Sequence, residues 1–208
     1  MQSAYNQVEQ LINSLPFHTE EGDLRSMESM DWNRMQKNLE ALYVLDNVLT
    51  DPAKEYLRLV RKTESDTETR FTVDNGAGDT LDVVFAQTAI VIKGFDHENS
   101  LNQFAADKWN QGIIDRMYEG LDLELVDLFS EEDRDYSTFV IWYDGTPHQN
   151  ETEGNNGGRW LLSYASNTFE EFKKFVEGYY SRSFDEGLLN KLYENGMLSK
   201  EELDGLVN

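Results

Sequence analysis

Asp96, His97 and Glu98 place an imidazole between two carboxylates on three consecutive residues. Carboxylates that close favour the charged imidazolium, so such a histidine could act as a general acid or, once deprotonated, as a metal ligand. The trio follows Ile92-Lys93-Gly94-Phe95, a β-rich run that turns at Gly94. Loops at strand ends are where polar sites commonly sit. The same residues have a plainer use. Asp is a strong cap for a turn or helix, and His97 could pack against Trp109 or Tyr118. Consecutive residues seldom ligate one metal together, and His18 and His148 lie far away along the chain. The structural use is therefore the expected one, with no metal and no cofactor. A catalytic or metal-dependent role for Asp96, His97 and Glu98 is the alternative.

A second constellation is acidic: Asp122, Glu124, Asp127, Glu131, Glu132, Asp133 and Asp135, interleaved with Leu121, Leu123, Leu125, Val126, Leu128 and Phe129 so that part of it alternates. One reading is a negative face that meets a basic protein; the other is a solvated edge, the usual fate of charge runs. Trp109, Trp142, Tyr143 and Trp160 could line a groove, although aromatics on strands and helices more often form core. The seven carboxylates together with Trp142 form the expected partner-binding set. Lys54, Arg58, Arg61 and Lys62 make a basic cluster too small to hold nucleic acid against the field of the entire chain.

That field is large. Forty Asp and Glu against eighteen Lys and Arg give a formal charge of -22 on 208 residues. It repels nucleic acid and anionic membrane and attracts a basic protein partner. There are no cysteines, which excludes disulfides, thiol nucleophiles and thiolate metal sites. Aromatics are 12% of the chain, far more than an acidic disordered tail carries, so a folded core is expected. The first residues lack the basic and apolar stretches of a signal peptide, and no apolar run reaches the length of about 20 that a membrane helix needs. A bacterial, cytoplasmic protein is the simplest expectation, with the Asn150-Glu151-Thr152 sequon a chance match. Asp74–Asp79 fails the spacing of a calcium-binding EF-hand and reads as a hairpin turn. The glycines at 154–158 lack the Lys-Ser/Thr of a phosphate-binding loop, and no nucleophile-elbow, zinc-protease or dinucleotide fingerprint occurs.

The elements that must hold these residues read as α+β in a single domain spanning 1–208. A helical N-terminal segment (1–50) is followed by a sheet-rich core (54–164) and a helical C-terminal segment (168–208). Apolar spacing predicts helices over 3–15 and 31–49, and either a helix or a strand over 53–62. Residues 70–73, 80–85 and 88–92 predict an antiparallel meander, with Asn75-Gly76 supplying the first turn. A helix near 112–119 and a strand over 137–143 follow. Residues 144–158 read as a long hairpin loop and 159–164 as the returning strand. Thr168…Glu171, Ser183…Glu186 and Ser199…Glu202 each fit a capping box at the start of a helix.

The stretches Ala89-Ile-Val-Ile-Lys-Gly-Phe-Asp-His-Glu98, Trp109-Asn-Gln-Gly-Ile-Ile-Asp115 and Phe139-Val-Ile-Trp142, with the C-terminal Leu-Tyr-Glu-Asn-Gly-Met-Leu-Ser-Lys-Glu-Glu, resemble a group of uncharacterised small acidic bacterial proteins. The resemblance covers about residues 80–207; the first 60 residues carry no match, and residues 99–101 (Asn-Ser-Leu) depart from a Ser-Pro-type continuation. It implies no activity. The expected function is that of a non-catalytic binding protein, of the kind of an immunity protein that blocks a basic toxin nuclease. The residues specify no oligomeric state.

Overall fold

The computed structural model describes residues 27, 30–150, 152, 154–165 and 168–207. The expected helix over 3–15 and His18 lie outside them. The fold is α+β, and the chain forms two compact units. One ends at Val60 and resumes at Leu162; the other is Arg61–Leu161.

In the helical unit, α1 (Trp32–Leu49) buries Trp32, Met35, Leu39 and Leu42 of the apolar stripe that predicts it, and Leu45 besides, while Leu49 of that stripe is half-buried. The Asp31 side chain caps it by accepting from the Arg34 amide at 3.1 Å. A 3₁₀ turn (Pro52–Leu57) follows, so the ambiguous stretch 53–62 divides into a helical turn and the start of a strand. Before that junction Asp46, 1% exposed, accepts from the Val60 amide, the Thr50 hydroxyl and the Tyr180 hydroxyl. Burial, together with that carboxylate, pushes the Tyr180 phenol well above its usual pKa.

Three further helices lie among this unit's described residues: one at Phe169–Tyr179, one at Glu186–Asn195 and one at Lys200–Val207. The first opens on the reciprocal box of Thr168 and Glu171, and the last on that of Ser199 and Glu202. The middle helix corrects the sequence reading. Its cap is Asp185, which accepts from the Leu188 amide at 2.8 Å, and not Ser183. Asp and Ser cap about equally well, so the residue adjoining the first helical turn takes the role. Asp185→Ala is expected to cost about 1 kcal/mol, whereas Ser183→Ala should stay within about 0.5 kcal/mol. Urea unfolding of both variants separates the two.

The sheet unit is a meander with strands in the order β1 (Val60–Glu64), β2 (Glu68–Asp74), β3 (Thr80–Ala86), β4 (Ile90–Phe95), β5 (Phe139–Tyr143) and β6 (Pro147–Gln149). The pairs from β2 to β6 are antiparallel. Phe71, Val83, Ile92 and Ile141 are cross-strand neighbours on one face, and Val84, Val91 and Trp142 on the other. All are buried, which is why β4 and β5 read as continuous apolar runs rather than alternating ones. The second face is covered by α2 (Gln111–Met117) and α3 (Leu123–Val126), with Ile114, Met117, Leu125 and Phe129 in its core, and α4 (Glu131–Asp135), which buries no residue, follows. The turn from β2 to β3 occupies 75–79, and Gly76 supplies a positive φ of 70°. Asn75 contributes its side chain, which accepts from the amides of Ala77 and Asp79.

The largest correction lies after β5. Its antiparallel neighbour is the short β6, reached through Gly145 at φ 116°. Arg159–Ala165 is a 3₁₀ helix, not the returning strand. Gly157 and Gly158, both at positive φ, turn the backbone out of an extended path immediately before Arg159, and this local geometry overrides the β-rich composition that follows. The alternating stretch from Leu121 contains the short helix α3, with Leu121, Leu125 and Phe129 buried at helical spacing.

Candidate functional site

The meander brings two distant segments together. Thr80 pairs with Phe95 across β3 and β4, so Asp79 stands beside Asp96 and His97. Asp79 is 5% exposed; its Oδ1 accepts from the His97 amide at 3.0 Å and lies 2.8 Å from His97 Nδ1. The Asn75 side-chain Nδ2 donates to Asp79 Oδ2 at 2.8 Å. Asp96 accepts from the Glu98 amide and from the Trp160 indole, both at 3.1 Å. Two glycines make room for this cluster. A Cβ on Gly78 (φ 108°) would sit 3.2 Å from the His97 ring, and one on Gly158 (φ 86°) 2.5 Å from the Asp96 carboxylate.

Asp79, Asp96 and His97 each offer a ligand atom, all within 4.8 Å of one another. Glu98 is the outlier of the expected trio: it is mostly exposed and stands 3.9 Å from His97 Nε2. The constellation is therefore built across strands, with Asp79 in the place that adjacency in sequence gives to Glu98. Trp109 and Tyr118 bond Gln111 and Ser137, and the histidine's polar partner is Asp79. The expectation that Asp96 caps a turn holds, through its bond to the Glu98 amide.

The hydrogen bond to Asp79 raises the pKa of His97, with burial working against it. Burial raises that of Asp96, reinforced by Asp79 and opposed by the Trp160 bond. A group whose pKa is raised by folding contributes stability below its unfolded value that is lost as pH climbs through the folded one. For His97 that window opens near pH ~6.5 and extends upward. The slope from Asp96 has the same sign and begins at lower pH, near ~3.9. The urea midpoint is thus expected to fall as pH rises above about 6.5, and His97→Gln should flatten that fall. An unchanged slope in the variant would place the titration elsewhere.

The acidic run is divided by the fold. Glu131, Glu132 and Asp135 of α4 line a cleft of about 650 Å³ with Asp115 and Gln111 of α2. Ile114, Tyr118 and Val126 also line it, and Arg134 is the one cation among its described lining residues. That guanidinium donates to the Phe129 carbonyl at 3.0 Å. Asp133 is committed to the capping box, whose Ser130 hydroxyl holds its carboxyl below the ordinary range. Asp122, Glu124 and Asp127 are exposed on and beside α3 and are not part of the cleft wall. Trp142 is 8% exposed and stacks on His148 with ring centroids 5.2 Å apart, so it serves the core. His148 also bonds Asp144, which lowers that carboxyl's pKa.

Two participants escape a residue-by-residue reading. Asp115 belongs to α2 and reaches the cleft only because the fold sets α2 beside α4. Asp79 sits in a loop whose composition signals only a turn, and the predicted strand over 88–92 stops short of Phe95, the residue that pairs with Thr80. Comparison of the chain with protein-family models, with curated proteins and with solved structures found no match.

Proposed function

We propose that this protein is a non-catalytic binding protein of the bacterial cytoplasm that neutralises a basic protein, in the manner of immunity proteins that block toxin nucleases. The observation that carries the reading is the acidic cleft between α2 and α4, where Asp115, Glu131, Glu132 and Asp135 face a cavity with a single cation among its described lining residues. Low-dielectric walls focus the field of grouped charges, so the cleft adds local attraction to the long-range pull of a net charge of -22. A cationic protein would be steered in quickly and would bind with strong salt dependence. Co-expression with a basic nuclease encoded beside this gene tests the reading. Protection of the cells, together with a complex that weakens steeply as salt rises, is expected. No protection, or a complex indifferent to salt, contradicts it.

One observation favours a second reading, a metal-dependent protein acting through Asp96 and His97 with Asp79 rather than Glu98: the three ligand atoms within 4.8 Å. Those atoms already have partners in Asn75, Trp160 and one another, which supports a latch between strand ends instead. Elemental analysis of protein purified without chelator is expected to give substoichiometric metal. One equivalent of a divalent ion, lost in His97→Gln, would replace the binding reading.

A further inference from the structure

Three aromatic side chains stand in the open beside the cleft. Phe104 is 51% exposed, Trp109 39% and Tyr136 44%. Phe104 lies 4.4 Å from Tyr136 and 5.2 Å from Trp109, centroid to centroid, and the buried Phe95 supports both Phe104 and Tyr136 from below. Large aromatics are normally the residues a fold hides, and a contiguous exposed group marks a contact surface.

The platform is held firmly. The buried Asn102 accepts from the Phe104 amide at 3.0 Å, and the buried Gln103 accepts from the Asn110 amide at 2.9 Å, so both side chains fix the loop that displays Phe104 and Trp109. On the other side Lys93, itself paired with Asp82, donates to the Tyr136 carbonyl at 3.1 Å. Surfaces ordered in advance lose little entropy on binding.

The platform also continues into the cleft. The Trp109 indole donates to Gln111, and Gln111 donates to Asp115, with both of those residues in the cleft wall. Tyr136 directly follows Asp135. Aromatic faces beside carboxylates suit one side chain above others. A guanidinium can lie flat on a ring while its N–H fork bonds a carboxylate, whereas an ammonium gives a point charge without the plane. A second copy of this chain would bring its own surplus of acid, and nucleic acid or anionic lipid would be repelled in the same way.

We propose that Phe104, Trp109 and Tyr136 form an arginine-stacking platform at the rim of the cleft, so that the protein selects partners presenting arginine rather than lysine. The inference rests on the basic-partner reading and specifies the chemistry of that same site. Its probe is a short peptide of alternating Arg and Gly, compared with its Lys counterpart, titrated at low ionic strength into the full ¹⁵N-labelled chain. The Arg peptide is expected to bind roughly fivefold more tightly and to shift the Trp109 indole resonance. Trp109→Leu and Phe104→Leu should erase the preference, bringing Arg-peptide affinity down to that of the Lys peptide; an unaltered amide spectrum certifies their fold. Equal affinity for both peptides, with the Trp109 resonance still, overturns the platform and leaves the cleft reading standing. Failure of either peptide to bind overturns both. Concentration-dependent self-association abolished by Trp109→Leu assigns the surface to a second copy and overturns the arginine proposal.

Discussion

Replacing Glu131, Glu132 and Asp135 together with lysine should weaken capture of the basic partner by roughly a thousandfold at low salt. Each of the three lines the cleft, so each change removes an attraction and installs a repulsion at close range. Coupling between close interfacial charges runs from about 1.5 kcal/mol upward, and like charges in contact cost several kcal/mol more. A thousandfold is about 4 kcal/mol, which three such sites supply with margin. The fold should survive. Glu131 and Glu132 are exposed, and lysine in the first turn of a helix costs only about 0.3–1 kcal/mol per residue. The informative control is Asp122→Lys, Glu124→Lys and Asp127→Lys, which changes net charge equally but outside the cleft wall. That variant should lose less than about tenfold, mostly in association rate. Equal losses in the two triples, measured by titration calorimetry, would mean that the overall field and not the cleft does the binding.

Gly157→Ala should be among the most damaging glycine substitutions in the sheet unit, costing about 3 kcal/mol or more. Gly157 has φ 75°, and an added Cβ would lie 2.1 Å from the Thr138 carbonyl oxygen and 2.6 Å from the Phe139 Cβ. Neither neighbour can yield, because one is backbone and the other belongs to the buried strand β5. The Thr138 hydroxyl also donates to the Gly157 carbonyl at 2.6 Å, so a shift of the loop breaks a bond as well. Gly154→Ala is the matched control. Its φ of 72° is nearly the same, but nothing lies within 4 Å of the new atom, so only the left-handed strain of about 1–2 kcal/mol remains. Thermal melts should show the first variant falling by ~6–12 °C and the second by much less.

The elements that were legible in the residues are those whose signals are local. The stripe Trp32, Met35, Leu39, Leu42 predicts α1, and the runs at 80–85 and 88–92 predict β3 and β4, because periodicity and burial are properties of one segment. Arg159–Ala165 misleads for the complementary reason. Its composition suits a strand, but its path is set by the two preceding glycines and by the contact of Gly157 with Thr138, a residue far away in sequence. The candidate sites behave alike. Asp96 and His97 stand out on chemistry alone, while their true partner Asp79 requires the register Thr80 to Phe95. The acidic run is obvious as charge, yet which of its members turn to the cleft depends on Ser130 capping α4 and removing Asp133 from service.

Hydrogen exchange of the chain alone and with saturating basic partner tests the docking claim most directly. The account predicts slowed exchange in α2, in α4 and across residues 104–110, with the 75–79 turn and residues 96–98 unchanged. Protection centred on that turn and on His97, with α4 exchanging as freely as before, would contradict it.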